Sequence, residues 1–491
     1  MSQSTISQDG QYLPSRSLMD CASAGYDLKG AAAAAERGSE ESIPDAQYLY
    51  ALFLYTGSAG ITRDRKTAEE LFRLASGEGS KDAAIVVSEM SRNPEDVMEK
   101  LLELRLKGEQ RDPEACSKLF AMYDKGTEEV SKSHAEAVRW YTVCAEDDDA
   151  EAQNTVGYMY LKGKGIPKDE NKALYWLQKA ANNGSAQAMY RLAELYYQGT
   201  YDTQQDLKKA MDWYVRAADA GSMDAQFVLG CIHSTPRTKY FDIKKGNAYF
   251  EKAAEQGHAE AQYQIGMSYA NGDGLKRDPS LALKWLEKSC ENGYQQAMVD
   301  LANMSYEGQI LPKDDAKAAH WFTEAAEKCN GYAQYALACM YANGLYFDQS
   351  DEMAFKWFKE AAEGSEPNSQ YCLALFYRDG RFVEKNEEMA AVWFDQAADQ
   401  GHPYAMADLG VMKIMGRGVE QDVEDGIQLL NRSAEMGNPE AEFYLGKIYY
   451  DGEYVEQDLN RSKKHFTKAA KMGDPDAAAM LEVLKKERRR R

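Results

Sequence analysis

The chain has 491 residues, 44% hydrophobic and 28% charged, the balance of a soluble folded protein. Acidic residues outnumber basic ones 79 to 58, a net charge of −21, so most of the surface would repel nucleic acid. No run of about 18 apolar residues occurs, which excludes an expected membrane-spanning helix.

At the N-terminus, "MSQSTISQDGQYLPSRS" lacks a basic region followed by an apolar stretch, so a secretory signal is not expected. Residues 1–45 read as a tail and a degenerate half-repeat around "AAAAAERG". Eight cysteines are scattered without a CxxC or a regular interval, which suggests reduced thiols and a cytoplasmic protein.

From Ala46 the chain repeats itself. All seven tryptophans share one register: Trp140, Trp176, Trp213, Trp285, Trp321, Trp357 and Trp393 are separated by 36, 37, 72, 36, 36 and 36 residues. Tyr249 fills the double step, and Leu429 and His465 continue the register. A second pattern, A-x-x-x-L-[GA]-x-x-Y-x-x-G, starts at Ala152, Ala188, Ala261, Ala333 and Ala441. Weaker copies start at Ala225, Ala297, Ser369 and Ala405, earlier ones at Ala46 and Ala115, and a poor one near Ala83. About twelve repeats of 36–37 residues are expected over 46–476, with no linker dividing them after Ala115. The units near 83 and 225 are irregular, and 477–491 reads as a capping helix with the basic tail "KKERRRR".

Each unit reads as two helices. Helix A runs through "SAQAMYRLAELYYQG" and stops at Gly199, expected in the left-handed conformation. Helix B runs through "DLKKAMDWYVRAADAG" and stops at Gly221. The loop between them ends in Asp or Asn, which can cap helix B. His258 and His402 precede helix A at one repeat position, which suggests a capping or turn role. Gly157, Gly230, Gly266, Gly410 and Gly446 mark close approach to a neighbouring helix, alanine pairs such as Ala253–Ala254 supply small surfaces, and tryptophan fills the wide end of each wedge.

These residues resemble the Sel-one-like repeat (SLR), a cousin of the tetratricopeptide repeat, and "AQYQIGMSYANGDGLKRDPSLALKWLEKSCENG" follows its pattern nearly throughout. The resemblance implies an all-α, right-handed α-solenoid superhelix of helix-turn-helix repeats that holds partner proteins as an adaptor or regulator. It also implies that helix A lines a concave groove through positions two, six, nine and ten after the starting alanine. At the second position stand Tyr190, Phe227, Tyr263, Tyr335 and Tyr371; at the ninth, Tyr197 and Tyr306; at the tenth, Asn271 and Asn343. Tyrosine offers rigid contact area with one polar handle, asparagine can hold a peptide backbone, and acidic neighbours favour a basic partner. The competing reading is that the second-position aromatics only pack between successive A helices. Trp176 and Tyr196 read as core, and Tyr175 as outward-facing.

No catalytic constellation is present, and the chain is not expected to be an enzyme. "GYMYLKGKG" differs from a phosphate-binding loop in length and context. The six histidines form no HExxH and no metal spacing, so neither metal nor cofactor is expected. The leading function is a protein-interaction scaffold. One alternative, by resemblance, is the secreted SLR branch that binds β-lactam or peptidoglycan fragments, although that branch carries a cysteine pair in every repeat. Another is association with nucleic acid or a membrane surface through the basic tail. The bland reading of that tail is a favourable cationic helix end.

Overall fold

The computed structural model describes residues 28–146, 148–199 and 205–490. Most of the N-terminal tail, including Cys21, lies outside the described residues, as do Arg491 and the side chains from 487 onward. Twenty-six helices and no strand occur among the described residues. They fall into two compact units, divided between Phe241 and Asp242. The division lies in the loop "STPRTKYFD", within the irregular unit at Ala225.

The first unit holds α1 (Leu28–Glu40), α2 (Pro44–Thr56), α3 (Arg65–Gly77), α4 (Lys81–Met90), α5 (Glu95–Glu109), α6 (Pro113–Lys125), α7 (His134–Glu146), α8 (Ala150–Lys162), α9 (Glu170–Asn182), α10 (Ala186–Gln198), α11 (Leu207–Asp219) and α12 (Met223–Ser234). The second holds α13 (Ile243–Glu255), α14 (Ala259–Asn271), α15 (Pro279–Glu291), α16 (Gln295–Glu307), α17 (Asp315–Glu327), α18 (Gly331–Asn343), α19 (Asp351–Glu363), α20 (Pro367–Asp379), α21 (Glu387–Asp399), α22 (Pro403–Met415), α23 (Val423–Glu435), α24 (Pro439–Asp451), α25 (Leu459–Lys471) and α26 (Pro475–Arg490). Within each unit helices pack mainly on their chain neighbours, so each is an all-α solenoid of helix hairpins.

Local chemistry sets the boundaries. Helix B is capped in repeat after repeat by one side chain: Asp169, Asp206, Asp242, Asp278 and Asp314 each accept a hydrogen bond from the first-turn backbone, as do Ser350, Asn386, Asp422 and Asp458. His258 and His402 cap helix A, their Nδ1 atoms accepting from the amides of Ala261 (3.3 Å) and Ala405 (3.1 Å). Each ring must be neutral at Nδ1 to do so, and burial holds the His402 pKa below its ordinary value. Most A helices end on a left-handed glycine, such as Gly272 and Gly344. Gly199 differs: its φ is +67° but its ψ is 151°, so the chain leaves α10 extended rather than left-handed. In the glycine-poor loop at Ala225, His233 Nδ1–H donates to the carbonyl of Tyr240 at 2.6 Å and closes the turn.

Helix B ends on a positive-φ residue, glycine in most repeats, but Arg111 (φ 59°), Asp148 (φ 64°), Cys329 (φ 61°) and Ser365 (φ 67°) occupy that position in four. A side chain there is strained by about 1 kcal/mol, partly offset by the freedom that glycine adds to the unfolded chain. Ser365→Gly is therefore expected to stabilise the protein by about 0.5–1 kcal/mol, read from the urea midpoint. A lower midpoint would refute the strain argument.

The close approaches stand where glycine was expected. A Cβ on Gly266 would lie 2.9 Å from Leu286 Cγ, and one on Gly410 would lie 2.8 Å from the carbonyl oxygen of Gly426. In most repeats, though not at Trp140, the deepest wedge residue is shifted by one from the expectation. Trp140, Trp176, Trp285 and Trp357 are buried, but Trp213, Trp321 and Trp393 are only half-buried. The residue after the tryptophan lies deeper: Tyr214, Phe322, Phe358 and Phe394 are 0–3% exposed. Trp140, 0% exposed, is the exception that enters the helix–helix contact fully, and the indole N–H groups of Trp140, Trp357 and Trp393 have no hydrogen-bond partner where they are buried. Tyr196, read as core, is half-buried beneath Lys209.

Candidate partner-binding surface

The nine expected contact residues all sit on A helices, and the structure sorts them by exposure. In the first unit, Tyr190 and Tyr197 on α10 flank the buried Tyr214, with ring centroids 6.0 and 6.5 Å away. The Tyr214 hydroxyl donates to Glu194. Tyr190 is half-buried, its phenol pushed up to about 12 chiefly by that burial. Tyr197 is 49% exposed, and Phe227 on α12 is half-buried.

In the second unit, Tyr263 and Tyr371 reach the next repeat, while Tyr335 packs within its own. The Tyr263 hydroxyl donates to Asp300 Oδ2 at 2.7 Å, and its ring lies 5.2 Å from Tyr294. Tyr335 lies 6.0 Å from Phe358, and Tyr371 stacks on His402 at 4.7 Å. All three are half-buried. Tyr263 and Tyr371 thus serve inter-repeat packing, which the competing reading anticipated, while all three side chains keep part of their surface in solvent. Tyr306 is 39% exposed, with Lys313 Nζ 5.7 Å from its ring. The ninth position is not uniform, because Tyr55 is buried. Asn271 and Asn343 are exposed, with amide donors to Asp273 Oδ2 (3.4 Å) and the Cys339 carbonyl (2.9 Å).

Two sets of exposed aromatics escaped the sequence reading. Tyr332 and Tyr404, in the first turns of α18 and α22, are 45% and 41% exposed and stand beside Tyr335 and Tyr371, at 6.5 and 6.2 Å. They precede the starting alanine, a position outside the four examined. Tyr346 and Phe382 project from the loops after α18 and α20 with φ of +67° and +63°. Gly165, Gly274 and Gly418 occupy the equivalent position in other repeats, so an aromatic there stands out once the loops are aligned.

Asp300, Glu307, Asp379 and Asp408 lie on the same A helices, and Arg378 pairs with both Asp379 and Asp408. Asp408 is raised to about 6 by burial, although Arg378 Nη1 lies 3.1 Å away and opposes the shift. Outside this face, Tyr175 on α9 is 60% exposed and meets Trp176 edge-on. At the C-terminus, Lys485 pairs with Glu482 at 2.5 Å.

The seven described cysteines are free thiols. Among the described residues, no group of three or more His, Cys, Asp or Glu side chains is placed to hold a metal ion, and no helix is long and apolar enough to cross a membrane.

Known proteins resemble this chain at two levels. Along 183 residues it is 32% identical to the ERAD-associated E3 ubiquitin-protein ligase component HRD3B of Arabidopsis thaliana, covering 36% of this chain and 28% of that protein. Along 151 residues it is 27% identical to the chitin synthase regulator SKT5 of Saccharomyces cerevisiae, covering 30% of this chain and 20% of that protein. The chain thus spans under a third of either relative. In three dimensions it resembles a protective antigen of uropathogenic Escherichia coli strains with an SLR fold, at TM-score 0.65 and 24% identity, over 93% of this chain and 90% of that one. A Sel1 repeat protein from Oxalobacter formigenes gives TM-score 0.51 and 28% identity, over 67% of this chain and 93% of that one. The Sel1 repeat pattern itself matches eleven segments: 44–80, 113–148, and nine more running from 150 to 474. The helix pair at α4 and α5, the poor copy near Ala83, falls between the first two matches. The chain belongs to the Sel1 repeat family.

Proposed function

We propose that this protein is a non-enzymatic interaction scaffold that binds a partner protein or peptide on the aromatic, acidic faces of its A helices. The observation that carries the reading is the exposure of Tyr197, Tyr306, Tyr332 and Tyr404, large rings that the helix packing leaves 39–49% exposed. Such rings give contact area at low entropic cost, and the acidic side chains beside them favour basic residues on the partner. HRD3B is described as a component of a ligase and SKT5 as a regulator of an enzyme, which supports a scaffold that assembles or regulates. The free thiols support a cytoplasmic setting.

Alanine at Tyr197 and Tyr306 together is expected to weaken a captured partner by about tenfold or more, with helicity by circular dichroism unchanged. Unchanged affinity in the folded double variant would remove these residues from the contact.

A further inference from the structure

The loop after α12 departs from its counterparts. Where α8 and α14 stop on the left-handed Gly163 and Gly272, α12 stops on Thr235, at φ −79° and ψ 114°. Pro236 explains the change, because the residue before a proline is pushed out of the helical region into extended backbone. Of the chain's twelve prolines, Pro236 alone follows a serine or threonine.

The segment is presented rather than packed. Thr235, Pro236, Arg237, Thr238 and Lys239 are all exposed, and Arg237 turns the chain at φ +65°. Two hydroxyls hold the turn: Thr235 Oγ1–H donates to the Cys231 carbonyl at 2.8 Å, and Thr238 Oγ1–H donates to the Thr235 carbonyl at 3.1 Å. Lifting these five residues away therefore breaks surface hydrogen bonds and uncovers no core. Charge is local too. From Cys231 to Phe241 the chain carries Arg237 and Lys239 and no acid, against a net charge of −21 overall.

We infer that Thr235 is a phosphorylation site for a serine/threonine protein kinase that selects proline immediately after its target. The hydroxyl stands on extended backbone, the next residue has no amide N–H to satisfy, and the flanking residues are open to a kinase cleft. In the transfer, Thr235 Oγ1 bonds to the γ-phosphorus of ATP as the bond from that phosphorus to the bridging oxygen breaks. ADP leaves, and the hydroxyl proton passes to the catalytic carboxylate of the kinase. The resulting ester has no hydrogen to donate, so the Cys231 carbonyl loses that donor. About two negative charges also arrive at the C-terminal, negative end of α12. The last turn of α12 is therefore expected to loosen. The inference does not rest on the scaffold reading, and its test needs no binding partner.

Treating the folded full chain with a cyclin-dependent kinase and ATP, followed by peptide mass spectrometry, tests it. A blocked peptide of residues 231–241 controls for the kinase itself. One phosphate at Thr235 is expected. Thr235→Val should abolish it, and Pro236→Ala, which keeps the hydroxyl, should slow it about tenfold or more. Both substitutions fall at exposed positions, and circular dichroism checks that each variant stays folded. Amide hydrogen exchange across 231–241 should quicken about tenfold in the phosphorylated chain. Modification of the peptide but not of the folded chain, phosphate on Ser234 or Thr238 with Thr235 unmodified, or an undiminished rate in Pro236→Ala would each overturn the site. Unchanged exchange after phosphorylation would overturn the loosening of α12.

Discussion

Arg105→Met is expected to destabilise the first unit by about 3–5 kcal/mol, because it removes one cation from a buried cluster and leaves its carboxylates uncompensated. The guanidinium is fully buried, within 3.9 Å of Asp82, Glu89 and Glu136 oxygens, and over the rings of Tyr123 and Trp140. The loss should depend on pH. Glu89, Glu109 and Glu136 have folded pKa values raised above their ordinary ones, Glu109 to about 7. A carboxyl of this kind contributes stability that is present below its unfolded pKa and lost as pH rises through its folded pKa. The deficit of Arg105→Met is therefore largest near pH 8 and shrinks toward pH 5, as the stranded acids take up protons. Chemical denaturation at several pH values, with hydrogen exchange locating the loss between residues 81 and 146, checks both parts. A deficit that does not vary with pH would show that lost packing, not unpaired charge, governs the effect.

Phe394→Ala is expected to cost about 3–5 kcal/mol, and Trp393→Ala, one residue earlier, only about 1–2 kcal/mol. Phe394 is 0% exposed and its ring lies 5.7 Å from Tyr371 of the preceding A helix. Trp393 is half-buried, and its buried indole N–H has no acceptor, which subtracts from what its area contributes. The order of the two urea midpoints decides between them; a larger loss from Trp393→Ala would restore tryptophan as the wedge.

Much of the fold was legible because the repeat makes local chemistry recur. The aspartates at Asp169, Asp206 and Asp278 act as caps, His258 and His402 do the same for helix A, and Gly266 and Gly410 mark true close approaches. The depth of the tryptophans was not legible. Periodicity places residues on a helix face, but neighbours on that face differ in depth by how the next helix crosses. The buried charges around Arg105 were hidden for a different reason. Asp82, Glu89, Arg105 and Glu109 lie on the helix pair with the poorest repeat copy, Glu136 and Arg139 lie on α7 of the next repeat, and all stand among 28% charged residues that read individually as solvated. A buried glutamine ladder was missed too. Gln153, Gln226, Gln262, Gln334 and Gln370 each donate to the carbonyl of an alanine at the end of the preceding B helix, Ala145 through Ala362. Their 36-residue recurrence was visible, but glutamine beside an alanine reads as surface until a neighbouring repeat covers it. On the helix-A face the second-position aromatics turned out to be shared between packing and solvent, and exposure alone distinguishes Tyr306, Tyr332 and Tyr404 from them.

The central claim is that partners engage the A helices. Placing the photo-cross-linker p-benzoylphenylalanine at Tyr306, Tyr332, Tyr404 or, as a helix-B control, Tyr175 tests it most directly, with irradiation in cells and gel analysis of the adducts. All four positions are exposed, so accessibility does not bias the comparison. A shared discrete adduct from the three helix-A positions and none from Tyr175 is the predicted result; adducts from Tyr175 alone, or equally from all four, would contradict it.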